Sequence, residues 1–134
     1  YQATGLSLTA HPLALLRAQL AAFQVQPAAV LRGFRSGQLA RASGLVTHRQ
    51  RPETAKGVVF VTLEDETGAV NVIVWPDLAA AQRKALLASR LLTVYGVWQR
   101  EGEDARAVMH LVARRLVDHT ALLQGLATRS RDFR

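Results

Sequence analysis

The chain has no cysteine in its 134 residues, which excludes disulfides and thiolate metal sites and fits a cytoplasmic setting. It has no apolar run long enough to span a bilayer, because charges interrupt each run within a few residues. No basic segment leads into an apolar one, so no secretory signal is visible. Tyr1 is not an initiator Met, and the chain is read as a piece of a longer protein. Internal repeats and low-complexity segments are also absent. Lysine is scarce: fifteen of the seventeen cations are Arg. Acids are scarce early in the chain. Residues 1–56 hold seven cations (Arg17, Arg32, Arg35, Arg41, Arg49, Arg51 and Lys56) against Glu53, whereas residues 57–134 hold ten cations against nine acids. The net charge of +7 therefore sits mostly in the first part, which favours a polyanionic partner. An Arg-rich coding bias is the competing reading.

Catalytic constellations are missing too. Glu64, Asp65 and Glu66 are consecutive acids, but neighbours on a strand point to opposite faces and do not converge on one cation. They are read as a solvated turn. His11, His48, His110 and His119 have no ligand spacing, and neither a Gly-Lys-Ser/Thr phosphate loop nor a Gly-x-Ser-x-Gly elbow occurs. No catalytic residue, metal ligand or cofactor is assigned.

What the chain does have is residues 58–75, two alternating runs around a tight Glu-Asp-Glu-Thr-Gly turn. Val59, Val61 and Leu63 fall on one face, and Val58, Phe60, Thr62 and Glu64 on the other. Val70, Val72 and Val74 then alternate with Asn71, Ile73 and Trp75. Period-two alternation marks strands with two different faces. Here one face is a core, and the other is apolar enough to be a stacking platform. Further strands are predicted at 38–49, 91–100 and 106–117, with a polar hairpin turn at 101–104. Helices are predicted at 12–24, opened by Pro12, at 77–89, and at 120–126. Residues 129–134 read as a mobile tail. The order of three strands, a helix and two strands is that of a five-stranded OB-fold barrel, mainly β with flanking helices and an N-terminal helical appendage. The expected division is a helical lead-in at 1–37, the barrel at 38–118, and a short helix and tail at 119–134. Leu13, Leu16, Leu20 and Phe23 form an apolar stripe on the lead-in helix. That helix either caps the barrel or once lay against a neighbouring domain.

An OB-fold binds oligomers across its second and third strands and the loops beside them. Phe60, if it opposes the core face, is placed to stack on a base; its alternative is packing under a loop or the lead-in helix. Trp75 is a second stacking candidate, or packs on the following helix. Asn71 is placed to reach a base edge, or is a plain polar strand residue. Arg49, Arg51 and Lys56 are assigned to the loop after the first strand, as phosphate ligands or as a solvated loop. Arg114 and Arg115 are expected on opposite faces, with Arg114 taken as the one at the groove rim. Tyr95 and Trp98 are expected on opposite faces as well.

The residues also carry a resemblance. Gly44-Leu45-Val46, Arg49-Gln50-Arg51-Pro52, Thr54-Ala55-Lys56-Gly57, Val58-Val59-Phe60-Val61-Thr62-Leu63 and Glu64-Asp65-Glu66-Thr67-Gly68 follow one another in a pattern. This pattern resembles the C-terminal OB region of bacterial C-family DNA polymerase alpha subunits. Asn71-Val72-Ile73-Val74-Trp75-Pro76, Val112-Ala113-Arg114-Arg115-Leu116-Val117-Asp118 and the ending Arg129-Ser130-Arg131-Asp132-Phe133-Arg134 resemble its error-prone, damage-inducible branch. Thr4-Gly5-Leu6-Ser7-Leu8-Thr9-Ala10-His11-Pro12-Leu13 resembles the segment leading into that region. A Phe-x-x-Leu-x-Asp-x-Thr-Gly variant also occurs in anticodon-binding OB domains of class II aminoacyl-tRNA synthetases, but the surrounding segments are similar to the polymerase. The resemblance implies a DNA polymerase parent acting in translesion synthesis, with its catalytic carboxylates far upstream. It implies a single-stranded DNA template as ligand. It further implies a mutasome partner of the Y-family-like type that bridges to the sliding clamp, so that any clamp contact is indirect. The alternative to template binding is docking of that partner, on the apolar content of Val58, Ile73 and Trp75 or through residues 129–134.

Overall fold

Alternation in hydrophobicity becomes alternation in burial. In the computed structural model, which describes residues 11–102 and 107–132, strand β2 (Val59–Asp65) buries every second residue. Strand β3 (Gly68–Val74) does the same with Val70, Val72 and Val74. With β1 (Leu39–Gln50), β4 (Leu91–Glu101) and β5 (Val108–Asp118) they form a closed barrel in the order β1-β2-β3-β5-β4. Closure removes the sheet edges that would otherwise expose unpaired backbone. The long β1 serves both sides of the barrel. Its residues 39–45 pair with β4 and its residues 45–50 with β2, with a register shift between Val46 and His48. β3 and β5 close the barrel as a parallel pair, and the remaining pairs are antiparallel. The five-stranded OB layout expected from the sequence is the one observed.

Helical segments close both ends of the barrel. Helices α1 (Pro12–Ala21) and α2 (Ala28–Leu31) precede β1; α3 (Pro76–Ala81) and α4 (Arg83–Ala88) lie between β3 and β4; α5 (Thr120–Asp132) follows β5. Ala28 and Leu31 plug the end near the β2–β3 turn, and Leu86 belongs to the same core from the other end. The single helix predicted at 77–89 is two short ones. Gln82 breaks it, with φ −120° and ψ 38°. Its side-chain amide exchanges two hydrogen bonds with the Leu116 backbone, at 2.9 and 2.8 Å, which ties the break to β5.

The lead-in packs on the barrel. His11 caps α1 by accepting the Leu13 N–H, and Pro12 occupies the first turn, where no amide hydrogen is needed. Leu13, Leu16 and Leu20 are fully buried with Leu91 in a second core that also takes Leu122, Leu123 and Leu126 of α5. Phe23 is the exception in the predicted stripe. It is partly exposed, its ring 4.5 Å from that of His119.

The acidic turn is not a solvated one. Asp65 is buried. Its carboxylate accepts the N–H of Ala28 (2.8 Å), of Thr67 (2.7 Å) and of Gly68 (3.0 Å), and the Thr67 hydroxyl (2.8 Å). It thus caps α2 and shapes the hairpin with one side chain. Arg17 pairs with Glu66 and lies 3.5 Å from Asp65, and His11 approaches Glu64 at 3.3 Å. The three acids pin the lead-in to the barrel, each through a different partner. The Arg17 hydrogen bond holds the Glu66 carboxyl below its ordinary range, and Glu66 in turn raises Arg17.

α5 continues through Asp132, so most of the predicted tail is helical. The extended reading of residues 1–10, the turn at 103–106 and the final residues 133–134 lie outside the described residues. Among the described residues, no helix is long and apolar enough to cross a membrane.

Candidate nucleic-acid interface

Because Val59, Val61 and Leu63 fill the barrel, Phe60, Thr62 and Glu64 face outward from β2. Ala69, Asn71 and Ile73 do so from β3. Register sets these residues in rows. Phe60 lies opposite Ile73 on one side and Gln50 on the other, and Ile73 is level with Val112 of β5. Thr62 lies opposite both Asn71 and His48. The first row is an apolar strip crossing β2, β3 and β5 on the outside of the barrel.

Two large aromatics stand on this strip. Phe60 is 38% exposed and Trp75 54% exposed. Trp75 is two residues past Ile73 and directly follows the last paired residue, Val74, with an extended backbone (φ −69°, ψ 157°) that continues the strand's direction. Its carbonyl accepts the Ala79 N–H at 2.9 Å to start α3, and more than half of the residue is open to solvent. Asn71 is exposed one pair further along. Val58, counted on the sequence pattern with the outward residues, is 8% exposed and offers no surface to a ligand or partner.

The cations divide. Arg51 and Lys56 are exposed in the loop between β1 and β2, where Lys56 takes the left-handed conformation (φ 52°) that ends a short 3-10 turn, Glu53–Ala55. Arg49 is not in that loop. It is the penultimate residue of β1, and its guanidinium donates to the carbonyls of Leu86 (2.7 Å) and Ser89. Those carbonyls end α4 and lack helical partners, so Arg49 serves as a C-terminal cap. A cleft of about 280 Å³ lies between this loop and α3–α4, lined by Arg49, Arg51, Arg83 and Pro76 among others. Arg83 is a site candidate that the sequence disguised as an ordinary helix former.

Arg114 and Arg115 do not point to opposite faces. Tyr95 pairs with Arg115 but Gly96 pairs with Ala113, so β5 carries one extra residue, a β-bulge, and both arginines are exposed. Gly96 makes this possible: a β-carbon there would run into the Val112 carbonyl. Arg114 is two residues past Val112, as Trp75 is two past Ile73, which sets it at the Trp75 end of the strip. Glu64 lies at the opposite end of β2 from Phe60, so the outer face has an acidic end and a basic one. Among the described residues no group of His, Asp or Glu is arranged to hold a metal ion.

An exposed aromatic pair at the second and third strands of a closed five-stranded barrel, with a cationic loop beside it, can stack bases and pair with phosphates. A family described as an OB-fold nucleic acid binding domain matches residues 28–117. The chain belongs to this family. Its OB-fold domain is similar to part of proteins named error-prone DNA polymerase. One from Ralstonia nicotianae is 58% identical over 133 residues, covering 99% of this chain and 12% of that protein. One from Burkholderia mallei is also 58% identical, with the same coverage. The chain therefore spans about an eighth of the length of these curated relatives. Among solved structures, the aspartyl-tRNA synthetase of Entamoeba histolytica shares the OB fold at a TM-score of 0.53 and 9% identity, over 69% of this chain and 20% of that one.

Proposed function

We propose that this OB-fold domain binds single-stranded DNA along the outer face of β2, β3 and β5, as the template-contacting part of an error-prone DNA polymerase. The observation that carries this reading is the Phe60–Trp75 pair. Two aromatics remain in solvent on adjacent strands of a chain that buries most of its large apolar side chains. Their rings offer stacking surfaces to successive bases whatever the sequence. Asn71 supplies donors and an acceptor beside them, and Arg51 and Lys56 stand at the margins for phosphates. The chain matches about an eighth of the length of these relatives, so polymerase chemistry is assigned to the rest of a longer parent. The similarity to proteins of that name supports a parent that is a DNA polymerase working in translesion synthesis.

The test is fluorescence anisotropy with labelled oligo-dT and a duplex of equal length across a salt series. The single strand is expected to bind more tightly, with affinity falling steeply as salt rises. Phe60→Ala and Trp75→Ala are each expected to weaken binding by about 5- to 150-fold, the worth of roughly 1–3 kcal/mol per stacked base. Affinity unchanged within about twofold in both variants would remove the stacking face from the reading.

A further inference from the structure

The bulge at Arg114 creates a second basic feature on the other side of β5. Arg41 of β1 and Arg115 of β5 are the two cross-strand partners of Tyr95. Both guanidiniums lie over its ring, at 4.9 and 5.5 Å from the ring centre. Beside them Arg114 and Arg41, with Tyr95, Gln24 and Gln26, line a shallow depression of about 210 Å³. Among the described residues no carboxylate lines it. Among the described residues none of these three arginines makes an ion pair. Arg41 donates to the Phe23 carbonyl at 3.1 Å, which positions the charge without neutralising it. The nearest acid along β5, Asp118, is engaged by the Thr120 N–H and hydroxyl. Three like charges are thus held together, offset only by the face of one aromatic ring and a carbonyl dipole.

The position of this cluster indicates what would neutralise it. Ile73 and Val112 pair in parallel, so Trp75 and Arg114 each come two residues beyond that row, and Arg115 follows Arg114 directly. We infer that a single strand of nucleic acid leaving the aromatic strip at Trp75 continues over Arg114 onto the Arg41–Tyr95–Arg115 cluster. There the guanidiniums hold its phosphates. This path turns away from the loop between β1 and β2 and runs onto β4 and β1, so the site is longer than the β2–β3 face. The inference rests on the proposed DNA-binding reading for its ligand but on separate residues for its site. Tyr95 acts here as a support for the two guanidiniums rather than as a base-stacking surface.

The experiment is a ladder of oligo-dT lengths from about 4 to 16 nucleotides, the range one OB fold occupies. It is measured with the 134-residue chain and with an R114Q/R115Q double variant. Both side chains are exposed, so folding is expected to survive, and the unfolding midpoint is checked. Binding of the shortest oligonucleotides that bind at all should stay within about twofold of the parent. Binding of the longest should fall at least tenfold, and the salt slope for the longest should lessen by about 1.4, or 0.7 for each lost phosphate contact. An R114K/R115K variant should keep the salt slope. Equal losses at every length, or no loss at the longest, would overturn the extended path. If instead Phe60→Ala and Trp75→Ala bind every length as the parent does while R114Q/R115Q loses the long ones, the aromatic strip fails and the cluster stands.

Discussion

Replacing Asp65 by Asn tests the most consequential departure from the sequence reading. The substitution keeps size and one oxygen but turns the other acceptor into a donor. Oδ1 takes three donors, the Thr67 N–H, the Thr67 hydroxyl and the Gly68 N–H, while Oδ2 takes the buried Ala28 N–H. An Asn that satisfies the hairpin with its oxygen must turn its NH2 toward the Ala28 N–H and the Arg17 guanidinium. One charge-assisted hydrogen bond, worth about 1.5–3 kcal/mol, is lost, and a buried amide is left facing a donor, at about 1–3 kcal/mol. Allowing for relaxation, the expected destabilisation is about 3 kcal/mol, a large part of the roughly 5–15 kcal/mol that holds a domain folded. With a urea slope of about 1.5 kcal/mol/M, the unfolding midpoint should fall by about 2 M. The neighbouring Glu64→Gln should cost less than about 1 kcal/mol, because its partner His11 is met at an exposed site. A D65N midpoint within about 0.3 M of the parent at unchanged slope would refute the claim that this carboxylate joins lead-in, α2 and hairpin.

The remaining predictions concern charge. Glu66 is held below its ordinary value of 4.5 by Arg17, so its contribution is fully present above that pH and is lost as pH falls through the depressed folded value. An E66Q variant should lose less stability than the parent between about pH 5 and pH 2 in urea titrations. His119 behaves differently: burial lowers it from 6.5, so the folded state resists its protonation and stability should begin to decline as pH drops below about 6.5. His119→Gln should flatten that step. Arg49→Ala should lower stability by about 1–2 kcal/mol through the loss of the α4 cap while changing affinity for oligo-dT less than Arg51→Ala does. Were Arg49→Ala to weaken DNA binding at unchanged stability, the capping assignment would be wrong.

Much of the barrel could be read from period alone. The strands β2 and β3 announce themselves because a half-buried strand must alternate, and Val59, Val61, Leu63, Val70, Val72 and Val74 do so without a gap. The same alternation placed Phe60, Asn71, Ile73 and Trp75 on the outside, and the helix between the third and fourth strands suggested the topology. Alternation failed where the backbone departs from it. The bulge beside Gly96 put Arg114 and Arg115 on the same side, and no residue pattern along β5 by itself marks it. Nor does local pattern report what lies across the fold. Arg49 looked like a loop cation because the carbonyls that bind it come from a helix nearly forty positions away.

What the sequence determined by itself was therefore the set of strands, their inward faces and the stock of exposed aromatics and arginines. These follow from the local preference of each residue for water or core and from the fixed geometry of an extended chain. What only the tertiary structure decided was partnership. It set Asp65 at the centre of four donors from two segments, committed Arg49 to a helix end, and gathered Arg41, Arg114 and Arg115 around Tyr95. Each of these depends on register and closure. A hydrogen bond or a ring contact is fixed to a few tenths of an ångström between residues far apart in the chain, and local preference carries no such information.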